Sequence, residues 1–216
     1  MGFLESAVVV YLRALYYPDG FAFPLVPIDR TLVVTELGRE VATMVMLLVP
    51  AALVTRHRLE RFAWFSLLFG VWDLFYYIWL KVLLDWPESL HTWDLLFLWP
   101  IPSWGPVLAP CIVSVGLIAL GIALLAFRSR WPEAKVAGSA WLLLSLAAVL
   151  QLLAFLEGPW SVLLGSGAPI SSWLMEGVVL IQHAVPVAFA WSLFLAGSGV
   201  GLLGLLMILL QLRKGR

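Results

Sequence analysis

Glu36, Arg39 and Glu40 stand three and four residues apart in an otherwise apolar stretch, so on a helix turning about 100° per residue they share one face. Two carboxylates and one guanidinium do not cancel. An ionised side chain facing lipid costs on the order of 3 kcal/mol or more near the middle of a span, so this face must meet protein or water. It can hold an ion pair that pins one helix to its neighbour, or a polar site whose remaining carboxylate binds a headgroup or moves protons.

Asp73 is the second such group, deep in the next apolar run, with Tyr76, Tyr77 and Lys81 following at three, four and eight residues. A tyrosine hydroxyl or Lys81 would satisfy it locally. Because the short turn RHRLER makes the two runs antiparallel neighbours, an Arg39 to Asp73 bridge is also expected, and it would leave Glu36 and Glu40 free to act. Glu36, Glu40, Arg39 and Asp73 are therefore the candidate catalytic residues.

Metal chemistry has a weaker basis. Glu88-x-x-His91, and Glu176 with His183 seven residues later, each place a carboxylate and an imidazole on one helix face if those segments are helical. Such a pair can serve one metal ion, and Glu36 or Glu40 can add an oxygen. A two-metal bundle would need a second Glu-x-x-His motif, and there is none. His57 falls in a basic turn and is expected to be solvated.

The elements that must position these residues follow from composition and charge. The chain of 216 residues is 62% hydrophobic and 12% charged, with a mean hydropathy of +1.00, too little polar surface for a water-soluble globule of this length. Arg56, Arg58 and Arg61, then Arg128, Arg130 and Lys135, then Arg213, Lys214 and Arg216 form three basic clusters at the ends of apolar runs. Placing all three on the cytoplasmic side gives an all-α, polytopic membrane helix bundle with five transmembrane helices, N-terminus outside and C-terminus inside. The expected spans are about 31–55, 62–84, 107–127, 136–156 and 186–212, in a single membrane domain of residues 31–216.

Residues 1–30 are expected to form an outer-side interfacial helix, with Phe3, Leu4, Val8, Leu12 and Leu15 on its apolar side, and an irregular arm broken by Pro18, Gly20, Pro24 and Pro27. With Glu5 and Arg13 interrupting it and no basic start, this segment reads as retained and not as a signal peptide. Two further outer helices are expected at about 86–99, where Asp85, Pro87 and Glu88 resemble a capped start, and at about 172–185. The stretch from Trp173 to Leu212 can also be divided into two spans at Gly197, Ser198 and Gly199. Seven of the 12 tryptophans fall near the outer boundary, as an aromatic belt would place them.

Gly197, Gly201 and Gly204 form a small-residue stripe suited either to internal packing or to a homo-oligomer or larger membrane complex. Cys111 stands alone, so no intrachain disulfide is expected. No nucleotide-binding or nucleic-acid-binding pattern is present. The sequence thus points to a multi-pass inner-membrane protein with a polar site opening to the outer leaflet. That site would suit a metal, quinone or lipid headgroup, in a redox or lipid-modifying enzyme or its subunit. A proton-coupled transporter or channel and an accessory subunit are the competing readings.

Overall fold

The computed structural model describes residues 1–27, 29–98, 102–167 and 182–214. Helix α1 (Gly2–Tyr16) precedes α2 (Arg30–Val54) and α3 (Arg58–Leu84). A hairpin of β1 (Trp93–Phe97) and β2 (Ser103–Pro106) leads into α4 (Leu108–Arg130), followed by α5 (Gly138–Gly165) and α6 (Trp191–Lys214). The last five helices of this all-α bundle, α2 to α6, are each long and apolar enough to cross a membrane. Only 17% to 33% of their most apolar windows is buried, so most of that surface faces outward, as lipid requires.

These helices coincide with the expected spans except at a few ends. α5 continues nine residues beyond the expected boundary, through Pro159 to Gly165. Within this extension Gly158 lies close against Trp104, where a Cβ would stand 2.5 Å from the indole nitrogen. α6 runs unbroken across Gly197, Ser198 and Gly199, and residues 184–190 before it are not helical, so the two-span division of 173–212 is ruled out at Gly197. The outer helix expected at 172–185 lies almost wholly outside the described residues.

The helix expected at about 86–99 is replaced by the hairpin. Asp85 takes a left-handed backbone conformation (φ 51°), which stops α3, and its carboxylate pairs with Lys81 at 2.7 Å instead of capping a new helix. Lys81 also donates to the carbonyls of Asp85 and Pro87. Downstream, Trp93, Leu95 and Phe97 alternate along β1, and aromatic residues at alternate positions suit a strand. β1 pairs antiparallel with β2, Trp93 opposite Pro106 and Leu95 opposite Trp104.

The residues group into two compact units. The first comprises Met1–Ala42, Phe75–Leu108 and Ala154–Ala190. In it Trp104 and Leu163 form a small core with Phe23, Trp93 and Trp160. Gly105 leaves room there for the rings of Phe155 and Phe189.

The second unit comprises Thr43–Leu74, Ala109–Leu153 and Trp191–Arg216, with a core of Ala63, Leu120, Leu124, Phe127, Ala140 and Ile208. Its helices approach closely at glycines. A Cβ at Gly70 would stand 2.5 Å from the Ser114 carbonyl oxygen, and one at Gly121 would stand 2.7 Å from that of Ala63. The stripe on α6 meets α5: Gly197 faces Leu150 and Gln151, Gly201 faces Ala147, and Gly204 faces Leu144 and Ala140. The stripe on α6 therefore serves close packing against α5. Hydrogen bonds from Gln151 to Ser198 and from the Ala137 N–H to Gln211 fix the register.

Overpacking a tight helix contact costs about 1–3 kcal/mol, so Gly204→Leu should lower the thermal midpoint of the detergent-solubilised protein. Gly199→Leu, at a position with open space around it, should leave the midpoint unchanged. Equal midpoints for the two variants would contradict this packing.

Candidate functional site

α1 is built around a stripe of small and polar residues. Gly2, Glu5, Ser6 and Arg13 are its buried positions, while Leu4, Tyr11 and Leu15 are exposed. Spacings of three, four and seven residues place the buried set on one side of the helix. Gly2 lies against Phe75 and Tyr76, where a Cβ would come within 3.0 Å, and the Ser6 hydroxyl donates to the Tyr76 carbonyl at 3.0 Å. Phe3 meets the Trp79 ring edge-on. The side of α1 turned to the protein is therefore its polar side.

That orientation delivers Glu5 to Arg39. The Arg39 guanidinium pairs with Glu5 through Nη1 and with Glu36 through Nε and Nη2, the latter two at 2.9 and 2.8 Å. Charge-assisted bonds of this kind are among the strongest side-chain contacts. Counted from Arg30, the first residue of α2, Glu36 lies about 9 Å and Arg39 about 14 Å into the helix, at 1.5 Å per residue. Glu40 accepts the Leu98 N–H at 2.7 Å, tying α2 to the residue that follows β1. Its charge also acts on Arg39.

A second guanidinium completes the set. Arg13 stacks on Trp86 at 3.8 Å and on Phe21 at 4.7 Å from the ring centres, a cation held by aromatic faces. Burial pulls its pKa below the ordinary value, and the negative charge of Asp94 opposes that shift. Asp94 is itself buried on β1 and accepts the Tyr77 hydroxyl at 3.1 Å. Within the first unit, Glu5, Glu36 and Glu40 thus act on Arg39, and Asp94 acts on Arg13.

The sequence pointed to three of these residues and missed three. Glu36 and Arg39 are hydrogen-bonded to each other, while Glu40 bonds the Leu98 N–H. Glu5, Arg13 and Asp94 were passed over. The first two could have been found from their separation of eight residues, about 80° around a helix, in a stretch otherwise apolar. Asp94 was hidden by the expectation of a helix where β1 forms.

Asp73 has a different partner from those expected. Ser114 donates to it at 2.7 Å, one turn from the close contact at Gly70, while Tyr77 serves Asp94, Lys81 serves Asp85 and Arg39 serves the glutamates. An antiparallel depth match did not decide the pairing, because α1 supplies a carboxylate nearer to Arg39. The Ser114 bond helps hold α3 to α4 within the second unit.

The metal reading finds no support among the described residues, where no group of three or more His, Cys, Asp and Glu could hold an ion. Glu88 and His91 are exposed and belong to a turn: the Ser89 and Thr92 side chains bond its backbone, so the two residues do not share a helix face. His183 is exposed, and Glu176 lies outside the described residues. Comparison with protein-family models, with curated proteins and with solved structures finds no match.

Removing one partner of a buried ion pair costs about 3–5 kcal/mol, because the other charge is left uncovered. Arg39→Leu should therefore lower the thermal midpoint or the amount of folded protein in the membrane, and adding Glu36→Gln should recover part of the loss. A double variant no better than Arg39→Leu alone would argue against direct coupling. Glu88→Gln, at an exposed position, should have no effect in the same assay.

Proposed function

We propose that this chain is a multi-pass inner-membrane protein, the connection into α2 on the outer side and the C-terminus inside, whose Glu5, Glu36, Arg39 and Glu40 form a site for the polar headgroup of a molecule dissolved in the bilayer. The observation that carries this reading is the uneven cover of the ion cluster. The Arg39 side chain keeps 29% of its surface exposed, whereas Glu5 and Glu36 keep 6% and 10%. A guanidinium about 14 Å into α2 and bare to hydrocarbon would be costly, which favours a polar occupant against it.

An acceptor oxygen, from a quinone carbonyl or a lipid phosphate, matches the donors that a guanidinium presents. The adjacent carboxyls suit proton transfer to or from that headgroup, the chemistry of a redox or lipid-modifying enzyme or of its subunit. No step in this reading is assigned to a metal ion.

The protein purified into discs of native membrane, extracted with organic solvent and examined by mass spectrometry and absorption, should carry one amphiphile enriched roughly ten-fold over the surrounding lipid, the loss expected on removing a contact of about 1.4 kcal/mol. Arg39→Gln should abolish the enrichment and His57→Ala should not. The same lipid composition in wild type and Arg39→Gln would overturn the reading. Asp73 favours a second reading, proton-coupled transport, since an acid within a span with a hydroxyl as its hydrogen-bond partner is suited to carry a proton. Proton flux in liposomes that is lost in Asp73→Asn and kept in Arg39→Gln would select it.

A further inference from the structure

We infer that α1 is a half-membrane helix, immersed beside α2 and α3 with its apolar side against phospholipid acyl chains. A helix lying on a membrane surface turns its polar side to water. In α1 that side is covered by protein: Glu5 is bound to Arg39, Ser6 to the Tyr76 carbonyl, and Arg13 is stacked between Phe21 and Trp86. The exposed side carries Leu4 at 63%, Tyr11 at 66% and Leu15 at 75%.

The depth of α1 follows from what it touches. Tyr76 is eight residues, about 12 Å, before the end of α3 at Leu84, and Gly2 and Ser6 meet α3 there. Phe3 meets Trp79 one turn further on, and Arg13 reaches Trp86 just beyond the helix end. α1 therefore ascends alongside α3, with its first turn deepest. Fifteen residues span about 22 Å, short of the roughly 30 Å that crossing requires.

Its exposed side is continuous with that of α3, where Phe75, Ile78 and Val82 are also exposed and apolar. Since α3 is one of the helices long and apolar enough to cross the bilayer, acyl chains are the occupant that fits both. In this position α1 also walls Glu5, Glu36 and Arg39 off from the lipid on its side.

The test uses the full chain with Cys111→Ala and a single new cysteine, Leu4→Cys or Leu15→Cys, each carrying a small environment-sensitive fluorophore. The labelled protein is placed in phosphatidylcholine vesicles bearing a nitroxide either high on the acyl chain or near its middle. The deep nitroxide should quench the label at position 4 about two-fold more than the shallow one, and the order should reverse at position 15, given an acyl half-thickness of about 15 Å. In parallel, a membrane-impermeant maleimide on intact cells should modify Asp19→Cys and spare Leu4→Cys. Modification of Leu4→Cys as fast as Asp19→Cys would replace the immersed helix with one at the water surface. A label at position 4 insensitive to both nitroxides would instead show that protein, such as a second copy of the chain, covers this side, and would overturn the inference equally.

Discussion

An ionised side chain cannot be left bare to hydrocarbon, and the first unit is organised around that constraint. Arg39 lies about 14 Å into α2, and its guanidinium is paired within the protein. Glu36 covers it from one turn away and Glu5 from α1. α1 accordingly turns its polar stripe inward, the reverse of a helix resting on a water surface. Glu40, bonded to the Leu98 N–H, ties the residue after β1 to these charges, and Asp94 on β1, bonded to Tyr77, acts on Arg13.

The second unit meets a different demand, that of packing apolar helices where lipid offers no hydrophobic drive for association. Small residues supply the answer, because close backbone approach maximises dispersion contacts and shortens polar ones. Gly70 and Gly121 do this between α3 and α4, and Gly197, Gly201 and Gly204 between α6 and α5. The single hydrogen bond from Ser114 to Asp73 belongs to the first of these contacts. At one end of the unit, Arg128 and Glu60 pair at 3.1 Å, and the Trp131 indole donates to the Leu212 carbonyl.

The five long helices were legible because long apolar runs bounded by clustered bases have few other meanings. α2, α3, α4 and α6 depart from their expected ends by at most five residues, and only α5 overruns further, through a proline that membrane helices tolerate. The region after α3 was not legible. Asp85, Pro87 and Glu88 carry the residue types of a helix cap, yet Lys81 claims the Asp85 carboxylate and β1 finds its partner in β2. Part of the site was legible for the same reason as the helices: Glu36, Arg39 and Glu40 are conspicuous in an apolar stretch. Which carboxylate Arg39 selects depends on where α1 lies, and no spacing within α2 encodes that.

The pairing of Glu5 with Arg39 is the central claim, and exchanging the two charges tests it most directly. Glu5→Arg and Arg39→Glu, each alone, place like charges side by side in a buried setting and should sharply reduce the folded fraction recovered from the membrane. Combined, they restore opposite charges, with the new arginine in α1 flanked by Glu36 and the new glutamate in α2, and the folded fraction should return to at least half that of the parent. A combined variant as poorly folded as the worse single one would contradict the account, because it would show that Glu5 and Arg39 are held by something other than each other.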